Sequence, residues 1–574
     1  MSTNINQGAL PDTETLERLA NQFFSATGFG VSPQQGFQNG FNINHPPTAL
    51  PDPHIHNPGK IPSSVAGSGI SPSAQNGSTF NIKDPQTSLP DPHNHSYSNL
   101  VSPEKSYRLP FEEEQPFEKE LTAVLNAMHA FVPQAQLPSG SVTDASYYFL
   151  DQKSLSSENF HGLVRPPFDV NLIKQDFPIL NQQVNGHSLV WLDNAATTQK
   201  PRQVIERISQ FYKYENSNIH RAAHELAARS TDAYEGARKK VQLFLNAASV
   251  NEIVFVRGAT EAINLVAQSW GEQHLKEGDE IIVSYLEHHA NIVPWQQLVA
   301  KKGVKLRVIP VDDDGQLLLD EYAKLLNNKT KIVAVTQVSN ALGTITPVKK
   351  ITELAHHYGA KVLVDGAQAV SHLRADVRDI NCDWYVFSGH KVFGPTGIGV
   401  LYGKEALLNE TQPWQGGGNM IADVTFENTK YQNAPARFEA GTGNIADAVG
   451  LGAAIDYVNS IGIDLINQYE HYLLLYATKL IKEVKGLRLI GTAKDKASVL
   501  SFTLEGFKTE EVGAALNKQG IAVRSGHHCA QPILRRFGLE STVRPSLAFY
   551  NTCSDVDHLV KVLHHLSASK SKIY

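Results

Sequence analysis

The sequence predicts an α/β protein with a mostly parallel-sheet large domain and a smaller α+β C-terminal domain, preceded by a largely disordered N-terminal extension. Three observations carry this. Between about residues 168 and 435, short apolar runs alternate with helical patterns, as in a parallel sheet covered by helices on both faces. From about residue 436 to 574 the order changes to a long helical region, 444–485, followed by strands. Before residue 168 neither pattern is present.

The strand-like runs of the large domain are 189–192, 252–256, 280–284, 305–311, 331–336 and 361–364. They are of strand length and bounded by turn residues. In the smaller domain strands are expected at 487–490, 498–504 and 521–524, with a helix at 508–519.

The first 167 residues divide further. Residues 12–25 suit a short helix capped by Asp12 or Thr13, with Leu16, Leu19, Ala20, Phe23 and Phe24 on one face. That face could pack on its own enzyme or dock in another protein's groove. Fourteen of the 29 prolines fall in the first 110 residues, where aliphatic residues are scarce. Too little apolar surface remains to offset the entropy of ordering, so residues 26–110 are expected to be disordered. Within them residues 41–57 return at 80–96 with eleven of seventeen positions identical, including Leu-Pro-Asp-Pro-His in both copies. Prolines stiffen each copy, and two copies on one chain raise effective concentration at a partner. A duplicated spacer is the alternative. His54/His56 and His93/His95 lack the further ligands of a metal site, and no metal is expected. A second helix is expected at 111–132, then a linker to about residue 167.

Composition narrows the class. The 574 residues carry a net charge of −6, which leaves no electrostatic footprint for nucleic acid. No apolar run reaches the ~18 residues of a membrane span, and the N-terminus lacks the pattern of a secretory signal. Three cysteines in so long a chain fit a reducing cytoplasm.

The chemistry concentrates in residues 361–400. KVLVDGAQAV reads as a buried strand ending in Asp365; DWYVFSGHK is a second apolar run ending in Ser388, His390 and Lys391. A glycine-rich loop follows. An acid at one strand end and a lysine 26 residues later suit pyridoxal 5'-phosphate, which needs a lysine partner and an acid at its pyridine nitrogen. A helix cap at Asp365 and a surface Lys391 would be the bland alternative; DGAQ, SGHK and the glycine loop together argue against it.

Upstream, RGATEAIN follows a strand and opens a helix, so Gly258 and Thr260 form a phosphate-site candidate. In EHHAN an imidazole could lie on a cofactor ring or move protons. Downstream, VRSGHHCAQP places Cys529 in a loop beside Arg524, His527 and His528, a basic setting for a reactive thiol. Cys382, within INCDWYVF, reads as buried and inert. Arg544 can clamp a substrate carboxylate.

These motifs, with LDNAATTQKP, FVRGATEAINLVA, VSNALGT and RFEAGTGN, resemble the Suf-type (group II) cysteine desulfurases, aminotransferase-like enzymes of class V. The resemblance runs from about residue 168 to the C-terminus. It implies a fold-type I homodimer dependent on pyridoxal phosphate that converts L-cysteine to L-alanine. It assigns Lys391 to the cofactor and the Cα proton, Asp365 to the pyridine nitrogen, His288 to the ring face and Gln368, one turn after Asp365, to the phenolate oxygen. Thr260, Ser388 and His390 would hold the phosphate, with Thr442 reaching in from the second subunit. Arg544, Asn340, His220 and Arg524 would receive the substrate. Cys529 would carry the sulfur as a persulfide to an acceptor protein or reductant. Family members often have Thr where Ala259 stands and a small residue at Pro545. Selenocysteine lyase shares this scaffold and is the alternative activity; an Fe–S cluster sulfur donor with a mere spacer is another. The LPDPH segments resemble the targeting extensions of desulfurases packaged in family 2 encapsulin shells, which implies a cytoplasmic nanocompartment.

Overall fold

The computed structural model describes residues 168–219 and 224–570. The helices expected at 12–25 and 111–132, both copies of the repeat, and His220 lie outside the described residues.

Seven strands form the central sheet. In chain order they are β1 (Ile253–Val256), β2 (Glu280–Ser284), β3 (Lys305–Ile309), β4 (Thr330–Thr336), β5 (Lys361–Asp365), β6 (Trp384–Ser388) and β7 (Gly399–Gly403). In space the order is β1-β7-β6-β5-β4-β2-β3. Pairing is parallel from β6 across to β3, while β7 runs antiparallel to both β6 and β1. The loop between β6 and β7 is too short for a helical crossover, so the chain turns back. The mostly parallel sheet agrees with the expected fold class.

Both faces of the sheet are buried. Ile253, Phe255, Ile282, Val362, Val364, Tyr385 and Phe387 belong to one apolar cluster; Val254, Val256, Ile281, Val283, Leu363, Trp384 and Val386 belong to another. This alternation is the period of two that a strand imposes. The first cluster takes in α2 (Glu225–Phe244) through Tyr234 and Val241, and α5 (Val348–His357) through Ile351 and Ala355. The second takes in α3 (Ala259–Val266) and α4 (Val293–Lys302), through Ile263, Val266, Trp295 and Leu298. Edge strand β3 differs: Lys305 and Arg307 are exposed, and charge blunts an open edge.

The C-terminal part departs from expectation in detail. The helical region at 444–485 is two helices, α6 (Ile445–Ile461) and α7 (Ile463–Lys482), bent by 73° at the break. Gly462 between them has φ 95°, a left-handed value that glycine adopts freely. No single described helix is long and apolar enough to cross a membrane. Helix α6 is buried on nearly every side because it lies against α1 (Arg202–Tyr214) and α2. Small residues allow this closeness: a Cβ on Gly450 would meet Ile208 at 2.7 Å, and one on Gly452 would meet Ala237 at 3.1 Å.

Strands β8 (Leu487–Ile490), β9 (Ser501–Leu504), β10 (Arg524–Gly526) and β11 (Thr542–Arg544) form an antiparallel sheet ordered β8-β9-β11-β10. The strand expected at 521–524 divides at Val523. Ile521–Ala522 pairs in parallel with Val190–Trp191, while Arg524 starts β10. The run expected at 498–504 narrows because Val499 bridges Ser546 and the Leu500 N–H donates to Pro545 O. The run expected at 305–311 ends at Ile309, since Pro310 has no N–H to extend a ladder.

One contact joins the sheet to the start of α3. A Cβ on Gly399 would lie 2.5 Å from Gly258 Cα and 2.7 Å from Phe387 O, both backbone. Gly399→Ala is expected to lose about 1–3 kcal/mol of stability through overpacking. Gly236→Ala, on α2 with open space around it, should instead gain about 0.5–1 kcal/mol. Urea unfolding of the two variants checks this, and equal midpoints would contradict the packing argument.

Candidate active site

Strand ends build one cavity of about 240 Å³. Every residue that the family resemblance assigns to the site lines it except Thr442 and His220; Gly258, named with Thr260, and His527 do not line it. Thr442 is exposed, with its hydroxyl 3.5 Å from Asn218 Oδ1, and His220 lies outside the described residues.

Asp365 ends β5 and is buried, its Oδ1 accepting from Ala367 N–H at 3.0 Å. Burial pushes its carboxyl up, against the pull of that N–H and of Lys391. Lys391 ends a tight turn, Gly389–Lys391, that leaves β6. Burial pulls its amine down to about 8, Asp365 opposing and Arg544 assisting. The turn closes on the glycine loop: Gly389 N–H donates to Ile398 O and Gly394 N–H to Gly389 O. A distant segment then grips it. The hydroxyls of Thr197 and Thr198 each donate to His390 O at 3.1 Å, and Lys200 Nζ approaches at 3.3 Å. Thr198 Oγ1 also accepts from Phe393 N–H at 2.8 Å. The sequence contains this brace as TTQK in LDNAATTQKP, but the motif alone does not say what those hydroxyls hold.

The phosphate end is formed by α3 and β6. Ser388 Oγ accepts from Ala259 N–H at 2.9 Å, which ties the end of β6 to the start of α3. Here Ala259 contributes its backbone, so no second hydroxyl is present. Thr260 and His390 line the same end, and burial lowers His390 to about 4. Gln368 stands in a turn rather than a helix, and its amide donates to Ala195 O at 2.5 Å, leaving one N–H for a ligand.

His288 follows β2. Its Nδ1 accepts from Ala290 N–H at 3.1 Å, so the proton of the neutral ring is on Nε2. Burial lowers it to about 3, with Lys391 adding to the effect. Beneath it Glu287 is fully buried, a residue that sequence reasoning passed over. Asn291 Nδ2 donates to it at 2.6 Å, Thr336 N–H at 3.1 Å, and the Ser284 hydroxyl also donates. Burial still pushes its carboxyl up to about 8. This polar knot makes the 287–291 turn rigid.

The opposite wall comes from the C-terminal part. Arg544, on β11, is buried and donates to Asn340 O at 2.9 Å and Asp193 Oδ1 at 3.3 Å. Arg524 donates to Asp193 Oδ2 at 3.3 Å, so one carboxylate braces both arginines. Asp193 is a second residue the sequence reading missed; its signal was an acid beside the NAATT run. Cys529 is exposed, whereas Cys382 is buried with its thiol pushed up, and Cys553 is half-buried near Tyr472. His528 and Cys529 both have φ 53°, consecutive left-handed residues that cost about 1–2 kcal/mol each. Asn340 Nδ2 donates to His528 O at 2.6 Å, and the His528 ring meets Thr542 Oγ1 at 2.8 Å.

A family model described as aminotransferase class-V matches residues 190–559, and the chain belongs to that family. A cysteine desulfurase of Synechococcus elongatus is 70% identical over 399 residues, 70% of this chain and 64% of that protein. A probable cysteine desulfurase of Mycolicibacterium paratuberculosis is 61% identical over 406 residues, 71% of this chain and 59% of that protein. The chain thus spans about three fifths of the length of these two relatives. A cysteine desulfurase of Salmonella agona is 51% identical over 394 residues, 68% of this chain and 97% of that one. The crystal structure of the Escherichia coli cysteine desulfurase CsdA, in its S-sulfonic acid form, is similar with a TM-score of 0.65 at 39% identity, covering 70% of this chain and 99% of that one. The apo cysteine desulfurase of Thermococcus onnurineus NA1 gives 0.67 at 38%, covering 70% and 98%.

The cofactor of this family is pyridoxal phosphate, and the cavity fits it. A buried carboxylate and a lysine amine share its floor, and a helix start faces its other end. Buried polar atoms without partners gather here: Asn340 Oδ1, His528 Nδ1 and Arg544 Nε. Such atoms mark where a polar ligand belongs.

The buried histidines give a pH dependence. Burial holds His288 at about 3, His390 at about 4 and His528 at about 2. Unfolded, each would bind a proton near pH 6.5. These folded values are depressed, so stability is fully present above about pH 6.5 and is lost as pH falls below it. Each histidine contributes a slope of about 1.4 kcal/mol per pH unit there. Urea midpoints of the cofactor-free protein at several pH values test this. His528→Gln, which can still donate to Thr542, should flatten the slope by about one proton; an unchanged slope would refute the assignment.

Proposed function

We propose that the protein is a Suf-type cysteine desulfurase that converts L-cysteine to L-alanine and takes the sulfur onto Cys529. The observation that carries this reading is an exposed thiol, Cys529, in the wall of the cavity that also holds Lys391, Asp365 and Arg544. The similar cysteine desulfurases of Synechococcus elongatus and Salmonella agona support it.

When bound, pyridoxal phosphate withdraws electrons from the substrate's Cα. Asp365 sits where it can stabilise a protonated pyridine nitrogen. Thr260, Ser388 and His390 would hold the phosphate. His288, neutral with its proton on Nε2, would flank the cofactor and could donate from that atom. Gln368 would offer its remaining N–H to the phenolate oxygen. Arg544 has Nε free for the substrate carboxylate, with Asp193 fixing its other arm and Asn340 Oδ1 open to accept a proton donor. Arg524 flanks them, and the family resemblance assigns His220 to the substrate. An amine near 8 can both take and return a proton near neutral pH, so Lys391 moves the proton at Cα. The Cys529 thiolate then attacks the substrate sulfur. The new S–S bond forms as the Cβ–S bond breaks, its electron pair stays on the carbon side, and protonation there yields alanine. An acceptor protein or reductant removes the persulfide sulfur. Thr442, outside its own cavity, serves the second copy in a homodimer.

Two variants test the chemistry. Lys391→Ala should lose the visible absorption of bound cofactor and alanine release. Cys529→Ser should keep the absorption but release no alanine, since a neutral alcohol is a poor thiophile; Cys382→Ser and Cys553→Ser should retain turnover. Persulfide found by mass spectrometry on Cys553 instead would overturn the reading.

The same proposal places the enzyme in the cytoplasm within an encapsulin-type shell, addressed by residues 1–110. Its support is the duplicated Leu-Pro-Asp-Pro-His segment at 50–54 and 89–93. Deleting residues 1–110 should leave alanine release unchanged and abolish co-purification with a co-expressed shell protein. Altering both copies should weaken capture far more than altering one. Loss of catalytic rate on deletion would count against an address.

A further inference from the structure

His289 is absent from the chemistry above, yet it touches the Cys529 loop on both sides. Its backbone N–H donates to Cys529 O at 2.8 Å. Its ring Nε2 accepts from Gln531 N–H at 3.3 Å, two residues further on. The ring also stacks on His527, with centroids 5.9 Å apart and planes at 26°. His527 in turn accepts from Cys529 N–H through Nδ1 at 3.0 Å. These contacts bracket the two consecutive left-handed residues, His528 and Cys529. Nothing in the residue types of that loop favours such a backbone at Cys529, so it persists only where its surroundings over-determine it. His289 is also the chain neighbour of His288, whose turn is locked by Glu287 and Asn291. The rigid turn beneath the cavity therefore continues directly into the clamp on the thiol loop.

We propose that His289 is a positioning residue, which clamps the Cys529 loop in its left-handed backbone and so keeps the thiol in the cavity wall. The proposal rests on the reading of Cys529 as the sulfur-accepting thiol. Burial, and then His527, lower His289, which keeps Nε2 free to accept. A glutamine can reproduce that acceptor at similar reach; an asparagine is too short, and an alanine has none.

The test uses the full-length holoenzyme and measures iodoacetamide alkylation of Cys529 by peptide mass spectrometry, alongside kcat and KM. His289→Ala and His289→Asn should alkylate several-fold faster, because the loop is released. Their kcat should fall about tenfold, as misplacement of a reacting group predicts, with KM and cofactor absorption near wild type. His289→Gln should restore both rates. Wild-type alkylation in the alanine variant would overturn the proposal. So would equal behaviour of the Gln and Asn variants, a comparison that holds even if the alanine variant does not fold. Alkylation needs no turnover, so this failure is distinct from failure of the desulfurase reading, which Cys529→Ser tests.

Discussion

An amine and a carboxylate kept from bulk water beside each other set the terms for this structure. Desolvation of Lys391 and Asp365 is unfavourable for both charges, and their attraction opposes it without outweighing it, so the arrangement persists only where the fold holds it. The sheet supplies that hold. Strands β5 and β6 are parallel neighbours, with Asp365 in register with Val386, so the acid and the lysine turn leave the sheet side by side. Gly366 lets Tyr385 lie against the backbone just past Asp365: a Cβ there would come within 2.1 Å of the phenol ring. The grip of Thr197, Thr198 and Lys200 on His390 O then fixes the turn that carries Lys391.

The same economy of position recurs on the opposite wall. Asp193 serves two arginines, and the residues beside it tie the segment after the strand Val190–Trp191 to the last part of the chain: Ala195 N–H donates to Ser546 Oγ at 2.8 Å, and Asn194 Nδ2 donates to Ser546 O at 2.7 Å. The asparagine and arginine that face the ligand are therefore held by backbone carbonyls and one carboxylate, leaving single polar atoms free.

Much of this was legible in the sequence. Buried parallel strands read as near-continuous apolar runs, so 361–365 and 280–284 were plain, and the residues at their ends were the chemistry. What escaped were effects of long-range packing. A glycine at 462 inside an apolar helical stretch does not reveal a 73° bend, because the bend depends on what α6 packs against. The division at Val523 depends on Val190, more than three hundred residues earlier. Glu287 and Asp193 look like ordinary acids in the sequence; only folding brings together the donors that single them out. Thr442 could be named by motif, but the cavity of its own chain does not use it.

The pairing of Val190–Trp191 with Ile521–Ala522, and the burial of α6 against α1 and α2, bear on how the chain is made. Synthesis runs from the N-terminus, yet α1 and α2 finish their core only with residues near 450, and the strand Val190–Trp191 waits for residue 521. Most of the polypeptide must leave the ribosome before that core can close. Such non-local contacts fold slowly and expose apolar surface meanwhile. Cys529 lies in this late-made part, between β10 and β11, so its loop cannot settle until Thr542, which holds His528, and Arg544, which lines the same cavity, have also been made.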